Sequence, residues 1–418
     1  MPPFPLGLAC VAANLDGSRH EVRVWDAMFA DDPEASLWGC VRDFGPDAIG
    51  LSVRNVDDQE IRAPRFFLPE TRQLVAACRE VSAAPVVAGG PGFSIFATRA
   101  LTYLGADYGI VGEGERAFPL LLDHLAARRR PADVPGLVWR KDGRVRATRP
   151  DWIEPLDRLA PPDRVRTDAQ RYYATPGTGG IPNTATVQAK RGCPFSCVYC
   201  STPAIEGRQV RVRSPRAVVD EVEQLVARGF RRIHFTDSLF TNPEWHAEAI
   251  CSELLRRGLG IQWSCTINPR CAPPDLLRLM QRAGCELVMV GNESGCTRVL
   301  DGLKKGFAKA DVERCFVACE SLGLRYHAFL LIGGPGEDRE SVEESIELLE
   351  RFTPAHVSVT VGVRLYPGCE LSEMAKRSGM ISRRANLLMP AFYMPPAIGD
   401  WVWERLAAVM AQRPEWGF

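Results

Sequence analysis

The stretch KRGCPFSCVYCS, residues 190–201, places Cys193, Cys197 and Cys200 at spacings of three and two intervening residues, in a loop rich in Gly, Pro and aromatics. It follows the strand-like TATVQAKRG directly. The thiols therefore stand at a strand's carboxyl end, the rim where a β/α barrel keeps its active site. Structural zinc takes four ligands, and no fourth Cys or His stands near; the next histidine, His234, belongs to another strand-like segment. Iron–sulfur clusters are held by Cys thiolates. A four-iron cube held by three of them leaves one iron open to a substrate or cofactor.

Downstream of the loop one unit recurs. Its clearest copy is SPRAVVDEVEQLVARGFRRIHFTDSLF, residues 214–240, with Ser214 as N-cap, Pro215 at the first helical position, apolar residues at helical spacing, Gly229 as the stop, and then a strand. Gly284 before CELVMVGNES and Gly323 before LRYHAFLLIGG repeat the pattern. With TATVQAKRG, GIQWSCTIN and HVSVTVGVRLYPG the total is six strands, mostly separated by helices. Six βα units are too few to close an eight-stranded barrel, so residues 185–370 are expected to form a curved, partial (β/α)6 barrel.

Upstream, residues 1–125 alternate strand-like runs (HEVRVWDA, PDAIGLSVRN, APVVAGGPG, DYGIVGEGE) with helical patterns such as LPETRQLVAACREV. This alternation predicts a Rossmann-like, doubly wound parallel sheet, and the whole chain is α/β. Ligands of such sheets bind beyond the carboxyl ends of the strands. Ser52, Arg54 and Asn55 follow one strand, Gly89, Gly90 and Gly92 the next, and Gly112, Glu113 and Gly114 the last. The opening PFPLGLACVAANL leaves the sheet one strand short or its start late. Residues 126–184 read as a linker, with a hairpin turning at Asp142-Gly143 and Pro- and Gly-rich chain in PLDRLAPPDR and TPGTGGIPN. Residues 371–418 read as a helical tail in which DWVWERLAAVMAQR packs on the barrel.

Composition bounds the function. The 418 residues are 46% hydrophobic, enough for two or three cores. Lys+Arg and Asp+Glu are both 51, so no net field draws the chain to nucleic acid or an anionic membrane. No apolar run is long enough for a membrane span and the N-terminus lacks a signal peptide, so a cytoplasmic protein is expected. A cytosolic chain keeps its thiols reduced, and clustered cysteines then mean metal or catalysis. Of the other eleven, Cys369 among them, only Cys315 and Cys319, one helical turn apart, approach a ligand-like spacing, and all read as buried small hydrophobes.

The CxxxCxxC pattern of Cys193, Cys197 and Cys200, with Tyr199 an aromatic between them, resembles the signature of the radical S-adenosylmethionine superfamily. The resemblance implies that these thiolates hold a 4Fe-4S cluster, that S-adenosylmethionine chelates the open iron, and that one electron releases a 5'-deoxyadenosyl radical. It also implies cofactor-binding roles at later strand ends. Thr236, Asp237 and Ser238 stand where the family grips the methionine amine, though usually with Gly-Gly-Glu. Glu293 and Ser294 in GNESG, followed by LKKG, look like its ribose and carboxylate motif. LIGGPGED, with Leu331, Gly333 and Glu337, resembles the turn that lays an aliphatic residue against adenine, and Asn268 and Arg270 complete the expected pocket.

Residues 1–125 resemble the cobalamin-binding domain that precedes the radical domain in one large subfamily. Ser52, Gly89 and Gly90 match its Ser and Gly-Gly elements, and Arg54, Asn55, Gly112 and Glu113 lie on the same edge; the Asp-x-His-x-x-Gly element is absent. Together the two resemblances imply a methyltransferase acting on an unactivated carbon of a small-molecule, lipid or peptide substrate, served by a flavodoxin- or ferredoxin-like reductant. Radical cyclisation, rearrangement or oxidation by the same architecture is the alternative, and a non-catalytic cobalamin or redox sensor is the reading from another class. A methylthiotransferase would need a second cysteine set, which Cys10, Cys40 and Cys78 are too scattered to form.

Overall fold

A computed structural model describes residues 4–167, 169–174 and 184–418. The chain forms two compact units. One comprises Met1–Gln59, Pro64–Pro182 and Ser201–Gly207, the other Glu60–Ala63, Asn183–Cys200 and Arg208–Phe418. The Pro- and Gly-rich TPGTGGIPN, residues 175–183, lies outside the described residues.

The first unit is built on a five-stranded sheet in the order β1-β2-β3-β4-β5. Strands β1 (Ile49–Ser52), β2 (Val86–Gly89) and β3 (Tyr108–Ile110) are parallel, as the βα alternation requires. The helix that precedes β1 carries its own punctuation. Pro33–Phe44 starts at Asp32, whose carboxylate accepts from the Ala35 amide at 3.0 Å, and stops at left-handed Gly45. Val86, Val87 and Ala88 of β2 are buried on both faces, the mark of a sheet covered by helices on each side. Gly109 of β3 is obligatory, because a Cβ there would fall 2.0 Å from the ring of buried Phe93.

Two expectations are corrected here. Residues 20–26 form no strand: their alternation is spent on packing, with Trp25 against the cluster of Leu37, Val41 and Cys78 and its indole donating to the Ser36 hydroxyl at 3.0 Å. Tertiary contact replaces a ladder, and Leu6–Ala13 before it is helical. The hairpin of the expected linker continues the sheet instead: β4 (Leu137–Lys141) pairs antiparallel with β3, and β5 (Arg144–Ala147) with β4. Its turn is at Asp142 and Gly143, both at positive φ, as a two-residue hairpin of matching twist demands.

In the second unit β6 (Thr184–Val187), β9 (Arg232–Phe235), β10 (Gln262–Ile267), β11 (Cys285–Glu293), β12 (Arg325–Ile332) and β13 (His356–Val361) are the six expected strands, all parallel. The short pairs β7 (Lys190–Arg191) with β8 (Arg211–Val212), and β14 (Val363–Arg364) with β15 (Phe392–Tyr393), are antiparallel. A seventh parallel strand comes from the tail, which had not read as strands: β16 (Trp416–Gly417) adds to β13. At two residues it is too short for any periodicity to announce it. The sheet order is therefore β16-β13-β12-β11-β10-β9-β6.

Alternate residues of these strands face the helices. Tyr326 stacks on Phe316 of helix Lys309–Leu322, and Trp263 donates from its indole to the Ala283 carbonyl. The opposite parity carries His234, Ser264, His327, Phe329 and Ser358, half-buried side chains on the sheet's other face. There His234 bonds Ser264 and His327 bonds Ser358, each at 2.9 Å.

Candidate active site

The cysteine loop is pinned at both ends. At its start the β7/β8 ladder and buried Asp237 hold it, Asp237 Oδ1 accepting from the amides of Ala189 at 2.8 Å and Lys190 at 3.1 Å. Lys190 is itself buried, its ammonium donating to the carbonyls of Phe240 at 2.6 Å and Asn242 at 3.3 Å. Burial lowers its pKa, and Asp237 works against that. In mid-loop the Val198 amide donates to the Leu303 carbonyl at 3.1 Å, and the Leu371 amide to the Val198 carbonyl at 2.9 Å. At its end the Cys369 thiol donates to the Cys200 carbonyl at 3.2 Å.

Cys193, Cys197 and Cys200 are half-buried and free of disulfides. Burial pushes the Cys193 thiol up to about 11, and the neighbouring thiols of Cys200 and Cys197 add to the rise. Cys197 is also raised by burial, with Lys305 pulling the other way. The thiols thus feel one another's charge. Among the described residues no three His, Cys, Asp or Glu side chains converge on a single ion.

Tyr199 joins this loop to β11. Its hydroxyl lies 3.1 Å from Glu293 Oε1, and Lys305 Nζ lies 3.1 Å from both. Glu293 ends β11 at φ +59°, where the pairing with β12 shifts register between Val290 and Glu293. A bulge re-aims the side chain that follows it, and left-handed backbone on a non-glycine residue is strain of the kind found at functional sites. Ser294, expected beside it, turns inward: fully buried, its hydroxyl bonds that of Ser345 at 3.0 Å and accepts from the Cys296 amide. It braces the bulge against helix Arg339–Glu350.

The remaining expected residues divide in the same way. Thr236 is exposed at the end of β9, with its hydroxyl directed to the Val187 carbonyl, and Ser238 is half-buried beside Asp237. Buried Asn268 accepts from the Arg270 amide at 2.9 Å, and exposed Arg270 donates to the Gly306 carbonyl at 2.8 Å, next to Lys305. Leu331 shares the parity of His327 and Phe329. At Gly333, φ is +116° and a Cβ would fall 3.1 Å from Gly362 Cα. Glu337 closes this turn from within, its Oε2 accepting from the amides of Gly333 and, at 2.8 Å, Gly334.

Burial pushes the Glu337 carboxyl up to about 7, with those two amides opposing. Its other oxygen, Oε1, is buried with no hydrogen-bond partner among the described residues. Between the ordinary value of 4.5 and about 7 the folded chain holds a proton that the unfolded chain releases. The contribution is therefore full below 4.5 and is lost as pH rises to about 7, an amount of about 3 kcal/mol. Glu337→Gln, which cannot ionise, is expected to lose less stability than the native protein between pH 5 and 8 by about that amount. Urea unfolding at both pH values measures it; equal pH dependence in the two proteins would remove the titration from Glu337.

In the first unit the strand-end residues also separate. Ser52 at the end of β1, and Arg54 and Asn55 just beyond it, are exposed. Gly90 lets the ends of β1 and β2 meet, since its Cβ would lie 2.7 Å from the Val53 carbonyl and 3.0 Å from Ser52 Oγ. Gly89 ends β2 half-buried, paired with Ser52. This leaves an open polar edge at the carboxyl ends of β1 and β2, where ligands of such sheets bind. Gly112 and Glu113, after β3, lie against the chain at Trp152 and Ile153. A Cβ on Gly112 would lie 2.9 Å from the Trp152 ring, and buried Glu113 accepts from the Ile153 amide at 2.6 Å, so both clamp the 152–153 chain.

Lys305, Lys190 and Cys369 had not been singled out as site residues. Lys305 sits in the quoted LKKG and Lys190 opens the quoted loop. Nothing in the spacing of Cys369 foretold its approach to Cys200, which depends on the tertiary fold.

Comparison with known proteins agrees with this geometry. The family model described as the Radical SAM superfamily matches residues 187–349, and the B12 binding domain matches residues 2–122. The tryptophan 2-C-methyltransferase of Streptomyces laurentii is 28% identical over 88% of this chain and 71% of its own. The cytidylyl-2-hydroxyethylphosphonate methyltransferase of Streptomyces wedmorensis is 28% identical over 82% and 71%. Among solved structures, the radical S-adenosylmethionine methyltransferase TsrM from Kitasatospora setae, with cobalamin and a [4Fe-4S] cluster bound, superposes with a TM-score of 0.80 at 26% identity, covering 92% of this chain and 74% of that one. The fold and the cysteine loop define a radical S-adenosylmethionine enzyme. More narrowly, the chain belongs to the cobalamin-dependent branch of that family.

Proposed function

We propose that this protein is a cobalamin-dependent radical S-adenosylmethionine C-methyltransferase that methylates an unactivated carbon of a small molecule. The observation that carries the reading is a three-cysteine loop, locked to the carboxyl end of β11 by Tyr199, Glu293 and Lys305, in a chain that also has a B12-binding unit. Cys193, Cys197 and Cys200 would hold the 4Fe-4S cluster. Glu293, Thr236, Gly333, Leu331 and the free oxygen of Glu337 would receive S-adenosylmethionine, and Ser52, Arg54 and Asn55 the cobalamin. When bound, these groups supply radical chemistry at carbon and a transferable methyl group.

The chain's own part is charge and position. Lys305 offsets the anionic Glu293 beside the thiols, Asp237 fixes where the loop begins, and the Glu337 turn holds a backbone open where a side chain would intrude. No helix among the described residues is long and apolar enough to cross a membrane. The proposal places the enzyme in the cytoplasm, with a flavodoxin- or ferredoxin-like protein as its reductant. Lipid and peptide substrates stay within the proposal.

Anaerobic reconstitution with iron, sulfide and hydroxocobalamin tests it. The expected result is about four irons and stoichiometric cobalamin per chain, with 5'-deoxyadenosine and S-adenosylhomocysteine both formed from S-adenosylmethionine and reductant. Iron and 5'-deoxyadenosine without retained cobalamin would exclude methyl transfer and leave cyclisation, rearrangement or oxidation.

A further inference from the structure

We infer that Lys305 sets the redox potential of the cluster held by Cys193, Cys197 and Cys200, acting through space as a positioning charge, with Glu293 acting against it. The inference rests on the reading of those cysteines as cluster ligands.

Three observations carry it. Lys305 is buried, with its side chain 9% exposed and that of Glu293 15%, so water and salt screen both charges poorly. Nζ lies 5.6 Å from the ring centroids of both Tyr199 and Phe307, which gives it low-dielectric walls on the side of the loop. It also acts on the cysteines themselves, offsetting the burial of both Cys193 and Cys197.

Reduction adds one electron from an external reductant, and no proton, to an already anionic cluster–thiolate assembly. A buried cation stabilises the reduced form more than the oxidised form and raises the potential. A buried carboxylate lowers it. Cluster potentials are set by such net charge and by exposure. Tyr199, bonded to both partners, fixes where the two opposed charges stand relative to the loop.

The test is a potentiometric titration of the reconstituted full-length holoenzyme with dithionite, before S-adenosylmethionine is added, reading the EPR signal of the reduced cluster. Lys305→Gln is expected to lower the reduced-to-oxidised ratio at a fixed potential at least tenfold, about 59 mV for a one-electron couple. Glu293→Gln should move it in the opposite direction, the double variant should return towards the native value, and Lys305→Arg should stay near native. If Lys305→Gln assembles no cluster, the Glu293→Gln and Lys305→Arg titrations decide. Shifts of the same sign in both glutamine variants, an arginine variant that shifts as far as the glutamine one, or no shift at all would overturn the inference alone. A native protein that holds no cluster would overturn the ligand reading and the inference with it.

Discussion

Replacing Cys197 with alanine is expected to abolish the cluster and, with it, all cleavage of S-adenosylmethionine. Iron should fall from about four per chain to background. Activity should fall by more than the roughly 10–100-fold that outer-shell partners of a metal site are worth. The fold should survive. Cys197 is half-buried, and the backbone anchors of its loop (Val198 to Leu303, Leu371 to Val198, Asp237 to the Ala189 and Lys190 amides) do not use its sulfur. Melting within a few degrees of native, together with lost iron and lost 5'-deoxyadenosine, is the combined readout. A Cys197→Ala protein that lost its iron yet kept full biological activity would favour the non-catalytic cobalamin or redox sensor.

Asp237→Ala should destabilise the second unit, which separates two accounts of this residue. The family resemblance puts Asp237 on the methionine amine, whereas the structure puts its Oδ1 on two buried amides beside the buried Lys190 ammonium. Hydrogen bonds to a charged group are worth about 1.5–3 kcal/mol each, and removal would strand both donors and leave Lys190 without its nearby carboxylate. A loss of about 3 kcal/mol follows, a drop in melting temperature of roughly 6–12 °C for a unit of this size. Asp237→Asn keeps an acceptor and should lose only about 1 kcal/mol. Calorimetry on the two variants decides: unchanged melting with a raised KM for S-adenosylmethionine would return Asp237 to the binding site.

How far the sequence could be read followed the range of the interactions involved. The six strands from Thr184–Val187 to His356–Val361, Ser214 as a cap and the Asp142-Gly143 turn rest on local pattern, and all lie where the pattern put them. The cysteine loop is equally local. Residues 20–26 misled because an alternating pattern reports burial on one side and not the presence of a partner strand; Trp25 finds its burial on helices. The same blindness to tertiary context explains Ser294 and Glu113. Their motif positions were legible, but Ser345 and Ile153, 51 and 40 residues away along the chain, claimed their side chains. Lys305 became meaningful only once β11, the cysteine loop and the chain after helix Thr297–Gly302 were brought together.

The division of the chain bears on how such a protein is inherited and engineered. Ser201–Gly207, the seven residues that directly follow Cys200, belong to the first unit, where a Cβ on Gly207 would lie 2.9 Å from the same Trp152 ring that Gly112 admits. A recombination event that carried residues 1–182 into another gene as a cassette would leave this piece behind. The indole, built to fit between two glycines, would lose one of its walls. A first unit swapped into another chain would therefore have to bring its own version of residues 201–207 behind the host's cysteine loop.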